Sequence, residues 1–229
     1  MGIQERKERE RERRRQQILV AAKRVFAAKG FNRATMEDVA TEAELSPGTI
    51  YIYFKNKDEL YASLSVRVLK YLFIRLQHVK NENGLEPDQR IAALEQALYD
   101  VYQFDPLILI NMFHLQSSET LMNLSKELLD EIQSLSSRSI NVMADMLAEG
   151  IKKGLLIKKD PVVLAGILWA LFSGVILWEE SKRLIDNEKD YLKATLEIAF
   201  QIFSRGIKRP AASEASGAGQ RSPRSAIPA

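Results

Sequence analysis

Leu45-Ser46-Pro47-Gly48-Thr49-Ile50-Tyr51-Ile52-Tyr53-Phe54-Lys55-Asn56-Lys57 is the stretch that decides how this chain folds. Serine followed by proline starts a helix, the hydroxyl capping free amide donors and the proline sitting where no donor is needed. That helix is short, because Asn56-Lys57-Asp58-Glu59 caps another one just beyond Phe54. At about 100° per residue, Ile50 and Phe54 share one side of it. Gly48, Thr49 and Ile52 fall opposite, with Tyr51 and Tyr53 on the flanks. Upstream, Thr35-Met36-Glu37-Asp38 is a capping-box pattern before Val39, Ala40 and Ala43, a helix that ends near Glu44. Two short helices joined through Leu45-Ser46 predict a helix-turn-helix.

A glycine, a threonine, an isoleucine and two tyrosines make an odd solvated surface but suit a DNA major groove. Gly48 permits close backbone approach, Thr49 can hydrogen-bond a base edge, and Ile52 can meet a thymine methyl. The hydroxyls of Tyr51 and Tyr53 can reach phosphates. Lys57 stands in the first turn of its helix, where a cation opposes the macrodipole and a nearby phosphate would offset the cost. Thr35 holds a similar position at another helix start. The competing expectation is that Tyr51, Ile52 and Tyr53 pack on the C-terminal helices while Lys57 is plain surface.

Outward from this segment everything reads helical. Ile18, Ala22, Val25 and Phe26 form one stripe that Gly30 stops. Leu60, Leu64, Val68, Leu72 and Leu76 mark a long fourth helix closed by Gly84 and Pro87. Further helices are expected over 88–104, 106–123, 126–153, 161–185 and 190–205. No alternating β pattern occurs, so the chain is all-α with eight to ten helices. Residues 1–16, rich in Arg and Glu, read as a frayed tail or a solvated helical extension, with phosphate contact the sharper option. Residues 209–229 read as a disordered Pro/Ala/Ser/Gly tail.

Composition narrows the function. The 229 residues carry 33 Lys+Arg against 30 Asp+Glu, and the excess of three lies within residues 1–60. This local basic bias points to a polyanion near the N-terminus. Cysteine is absent and the two histidines are His78 and His114, so neither a metal site nor a cofactor is expected. The charged N-terminus is no secretory signal, and cytoplasmic residence is expected. An enzyme reading finds only Glu119, Asp145 and Glu149 at ordinary amphipathic positions, Glu179-Glu180 as a solvated helix-end pair, and no phosphate loop or zinc motif.

Phe26-Ala-Ala-Lys-Gly-Phe31, Thr35-Met-Glu-Asp-Val-Ala40 and Leu45 to Lys57, in that order and spacing, resemble the N-terminal domain of the tetracycline-repressor (TetR/AcrR) family of bacterial transcriptional regulators. The resemblance covers Gln17 to Leu64. It implies a three-helix DNA-binding domain (17–60), joined by a long helix to a helical-bundle effector and dimerisation domain (61–208), between tails 1–16 and 209–229. It implies phosphate contacts by Thr35, Ser46, Tyr51, Tyr53 and Lys57, and base-facing positions for Pro47, Gly48, Thr49 and Ile52. Pro47 replaces a residue that is often polar or basic, and Ile52 one that is sometimes tyrosine, so apolar readout is expected there.

The rest follows from that implication. So short a recognition helix needs a second half-site, hence a homodimer on a palindromic or pseudo-palindromic double-stranded operator. Pro161 to Trp178 carries no charge over 18 residues, close to a membrane span in length. Burial in a symmetric four-helix interface is the expected outcome instead, without a membrane, through Leu164, Leu168, Leu171, Val175, Leu196, Phe200 and Phe203. Phe73, Tyr99, Tyr102, Met112, Phe113, His114, Met143 and Trp169 are candidates for a pocket holding a small apolar or amphipathic effector. The expected function is a repressor released from its operator by that effector. The alternatives are a dimeric regulator without an effector and, more remotely, an α-helical enzyme.

Overall fold

The computed structural model describes residues 2–116, 124–183 and 191–209, and the helix breaks fall where glycine, proline and capping residues stand. Among these residues there are nine helices: α1 (Ile3–Arg33), α2 (Met36–Glu42), α3 (Pro47–Tyr53), α4 (Lys57–Asn81), α5 (Pro87–Phe104), α6 (Pro106–Gln116), α7 (Lys126–Lys152), α8 (Pro161–Arg183) and α9 (Leu192–Ile207). The described residues contain no strand, only an isolated bridge between Leu156 and Lys208. Residues 117–123, 184–190 and 210–229 lie outside the described residues, and with them Glu119, the far ends expected for α6 and α8, the start expected for α9, and nearly all of the C-terminal tail.

Residues 3–16 take the helical option: α1 runs without a break from Ile3 to Gly30, whose φ of 74° interrupts it before a last turn to Arg33. Glycine is needed there, because an L side chain resists that region. Ile18, Leu19, Ala22, Val25 and Phe26 are buried against α2 and α4.

Helix α4 is the spine. Its predicted stripe of Leu60, Leu64, Val68, Leu72 and Leu76 is buried, and its first half is buried on further sides through Tyr61, Ala62, Ser63 and Val66. The cause is position: α1 packs on one side of it and α5, α6 and α7 on others.

Helix α8 has two apolar faces. Leu164, Ala165, Leu168, Phe172 and Ile176 are sealed inside this chain, whereas Val162, Val163, Ile167 and Trp178 are exposed, as are Ile198 and Ile202 of α9. This corrects the expected interface. Leu164, Leu168, Leu196, Phe200 and Phe203 belong to the chain's own core, and Leu171 and Val175 are half-buried. A helix apolar around its circumference carries no mark of which face its own bundle takes, so the periodicity could not separate the faces. Glu179 and Glu180 are corrected too. Glu179 is 4% exposed, accepting from Thr195 Oγ1 at 3.0 Å and pairing with Lys182 at 2.7 Å. Glu180 accepts from the Tyr102 hydroxyl at 2.7 Å and pairs with Arg183 at 2.9 Å.

Phe172 is fully buried, with its ring 5.6 Å from Trp169 and 6.2 Å from Phe113. Phe172→Ala should therefore cost about 3–5 kcal/mol, seen as a lower urea midpoint at fixed protein concentration. A loss below about 1 kcal/mol would mean this core is not packed as described.

Candidate nucleic-acid interface

Seven residues of helix cannot hold themselves in water, so α3 depends on what fixes it. Ser46 Oγ accepts from the Thr49 amide at 3.2 Å, and Pro47 occupies the first turn. Ile50 and Phe54 are anchored in the core. Two clamps from α1 fix the ends. Gln17 Nε2 donates to Ala43 O at 2.8 Å, holding the preceding turn. The Arg15 guanidinium lies 5.3 Å from the Phe54 ring centre and donates to Ser63 Oγ of α4 at 3.2 Å. Neither clamp was foreseen, since both link residues far apart in sequence. The turn itself puts Glu44 at φ 55°, an uncommon place for a non-glycine residue.

With its inner side fixed, α3 turns the other side to solvent. Ile52 is 71% exposed and Tyr51 49%. Gly48, Pro47 and Ser46 are exposed, whereas Thr49 and Tyr53 are half-buried. The Thr49 hydroxyl lies 2.8 Å from Ser46 Oγ, so the two share one proton-donating edge. A Cβ built on Gly48 meets only Ser46 Oγ, at 4.0 Å, so no packing inside the chain calls for glycine. The expectation that this side packs on the C-terminal helices is not met.

Thr35 is exposed at the start of α2. Its Oγ1 accepts from the Asp38 amide at 3.1 Å, and Asp38 Oδ2 accepts from the Thr35 amide at 3.1 Å, closing the predicted capping box. Lys29 at 2.6 Å, then the Thr35 amide, hold the Asp38 carboxyl below its usual range. Lys57 differs from expectation. Its ammonium donates to the carbonyls of Phe31 (2.8 Å), Ala34 (3.1 Å) and Asn32 (3.3 Å). It also lies 4.5 Å from the Phe31 ring centre. An ammonium has three donors, and all three tie the end of α1 to the start of α4. The assigned phosphate contact is corrected to this internal clamp, because the carbonyls after Gly30 take up the cation.

The candidate pocket residues fall into separate places. Met112 and Phe113 are buried, with Phe113 edge-on to Trp169 at 5.7 Å, and Met143 is fully buried. Phe73 lies beneath Arg138, at 4.1 Å. Tyr99 stacks on Tyr102 at 6.2 Å, and burial followed by the Glu180 carboxylate pushes the Tyr102 hydroxyl up to about 12. The His114 side chain lies outside the described residues. A single pocket built from all of these is therefore corrected to three packed groups. Cavities occur elsewhere: one of about 20 Å³ between α5 and α7, lined by Ile91, Leu94, Met146 and Gly150, and an open one of about 320 Å³ between α5 and α9.

Between the N-terminal helices and the larger bundle, the Tyr61 ring packs edge-on against Phe26 (5.1 Å) and Phe31 (4.9 Å). Lys23 of α1 pairs with the largely buried Asp105 at 2.7 Å, at the α5–α6 junction.

Two outcomes follow. Gly48→Ala should raise fold stability by about 0.5–1 kcal/mol, as alanine does in a helix, while weakening DNA binding at least severalfold. Paired melts and gel-shift titrations read both, and unchanged DNA affinity would show that nothing external approaches Gly48. Lys57→Met should lower stability by about 1–3 kcal/mol, because carbonyls lose a charged donor. An unchanged denaturation midpoint would dismiss the clamp.

Comparison with known proteins places this geometry. Residues 18–64 match the bacterial regulatory proteins of the tetR family. An uncharacterised HTH-type transcriptional regulator of Bacillus subtilis, YhgD, is 26% identical over 177 residues, 76% of this chain and 89% of its own. The fatty acid metabolism regulator protein of the same organism is 25% identical over 138 residues, 60% of this chain and 68% of its own. The crystal structure of FadR from B. subtilis, solved with stearoyl-CoA, superposes with a TM-score of 0.65 at 21% identity, over 84% of this chain and 98% of that one. The match begins inside α1 and ends in α4, spanning the clamped helix and its bare face, and the chain belongs to the tetR family of helix-turn-helix, DNA-binding transcriptional regulators.

Proposed function

We propose that this protein binds a palindromic or pseudo-palindromic operator as a homodimer, represses the adjacent genes, and is released by an apolar or amphipathic effector. The observation that carries the reading is the bare side of α3, where Gly48, Tyr51 and Ile52 are exposed to solvent among the described residues. Thr35, Ser46, Tyr51 and Tyr53 would engage phosphates, and Pro47, Gly48, Thr49 and Ile52 the base edges. Residues 17–60 would form the DNA-binding head and 61–208 the effector and dimerisation part. The work would be done on the bacterial chromosome, in the cytoplasm.

The second protomer would cover the exposed face of α8 and α9. Val163, Ile167, Ala170, Gly174 and Trp178 are exposed along α8, at spacings that keep them on one stripe. Ile198 and Ile202 extend the surface on α9. The small residues Ala170 and Gly174 would let two copies of α8 approach closely. Such a patch would serve as an association surface.

Coupling would run through α6. Asp105, at its start, holds Lys23 of α1, and Tyr61 carries another contact between the two parts. A ligand that separates α6 from α8 at Phe113 and Trp169 would shift these supports, and with them the spacing of the two α3 helices. By linkage DNA and effector then oppose each other equally. Long-chain acyl-CoA is the first effector to test, because a structural neighbour holds stearoyl-CoA and a relative is named for fatty acid metabolism. The filled interior around Met112, Phe113 and Trp169 favours a second reading, a dimeric regulator with no small-molecule effector.

Selection of genomic fragments by the purified protein would supply the operator, and acyl-CoA esters of graded length would then be titrated into the complex. Release at micromolar ester supports the first reading; no release and no binding by any chain length supports the second. Ile167→Glu with Ile202→Glu should yield a helical monomer by sedimentation, with operator affinity lower by at least tenfold. A dimer that survives both charges would place the interface elsewhere. Asp105→Asn should leave dimerisation intact while shrinking the effector's influence on DNA affinity severalfold, and full influence would rule out this joint.

A further inference from the structure

The charge of the N-terminal helices is distributed oddly for a DNA-binding head. Residues 17–60 hold six Lys+Arg and six Asp+Glu, while residues 1–16 hold seven against four. The remainder of the chain is balanced, so the whole net charge of +3 resides in the first sixteen residues. Helix α3 carries no charge. Several of the head's cations are also engaged internally: Lys29 with Asp38 at 2.6 Å, Arg24 with Glu42 at 3.1 Å, and Lys57 with three carbonyls, whereas Lys55 is exposed. Non-specific attraction to DNA comes mainly from cations on phosphates. The folded head is therefore short of uncommitted cations for that attraction.

The extension of α1 supplies it on a defined face. Lys7, Arg11 and Arg14 continue, at helical spacing, the stripe that Ile18 and Val25 bury in the head. Glu5 and Glu12 fall on the opposite face together with Arg9, and Glu8 between the two faces; Glu5 accepts from the Gly2 amide at 3.2 Å and Glu12 from Gln16 Nε2 at 2.7 Å. Gln17 holds the end of α2 before the turn into α3, and Arg15 lies over Phe54 just after α3, so the extension of α1 starts near the level of α3. The twelve residues before Arg15 continue α1 for about 18 Å beyond that level.

We propose that the Lys7–Arg11–Arg14 stripe is a second DNA-contacting surface, which grips phosphates beside the groove that α3 enters and supplies affinity without sequence preference. The proposal rests on the reading of α3 as the groove helix, and the test separates the two.

The full-length protein would be titrated by fluorescence anisotropy, across a salt series, with its selected operator and with an unrelated duplex. For the Lys7→Gln, Arg11→Gln, Arg14→Gln variant, the slope of log affinity against log salt should fall by about 0.9 per lost contact, roughly three per protomer. Affinity for both duplexes should drop more than tenfold in 0.1 M salt, by about the same factor, so that operator preference survives. The Glu5→Gln, Glu8→Gln, Glu12→Gln variant, altered off the stripe, should keep the wild-type slope. A wild-type slope in the basic-stripe variant overturns the proposal. So does an equal and opposite change in the glutamate variant, which would make the effect one of bulk charge. Ile52→Ala, run alongside, reports on α3 alone: if it keeps full operator preference, the groove helix is misassigned, while the slope on unrelated DNA still judges the stripe.

Discussion

A helix of seven residues has no stability of its own, and this constraint governs the N-terminal part of the molecule. Helix α3 exists where it does because Ile50 and Phe54 are buried and because Gln17 and Arg15 of α1 hold the chain just before and just after it. Anchoring one side so completely is what allows the other to stay bare. Lys57 extends the same logic to α4, whose first turn is fastened to the end of α1 by three carbonyl contacts. The head is thus a clamp around a short reading helix, and its cations go largely into the clamp.

The larger bundle is organised by α4 and α8 in different ways. Helix α4 is buried on several sides because it passes between both parts of the protein, which makes it the element through which either part can act on the other. Helix α8 gives one apolar face to its own core and keeps another exposed. The polar contacts of Glu179 and Glu180 with Thr195, Tyr102, Lys182 and Arg183 fix the end of α8 against α5 and α9. Burying these carboxylates is tolerable because each is paired and hydrogen-bonded.

Local features were legible in the sequence. The capping pairs at Thr35–Asp38, Ser46–Thr49 and Asn56–Glu59, the stop at Gly30 and the burial of Ile50 and Phe54 all depend on neighbours within a few residues. What failed needed long-range information. Lys57 was assigned to a phosphate because its own helix dipole was visible and the carbonyls of Phe31, Asn32 and Ala34 were not. The faces of α8 were exchanged because Leu, Val and Ile occupy both. The aromatic and methionine residues of the bundle were grouped by chemistry, whereas packing divides them among Trp169, Arg138 and Glu180. The charged start of α1 stayed open between tail and helix because such a segment forms only as the continuation of an anchored one.

The central claim is that the exposed side of α3 is the surface that meets DNA, and the most direct measurement is site-specific photo-crosslinking from position 52 in the operator complex. The account predicts a covalent adduct to a base within the bound half-site, with none from a matched probe at the exposed Ile74 of α4. An operator complex that forms normally yet gives no adduct from position 52 would contradict it.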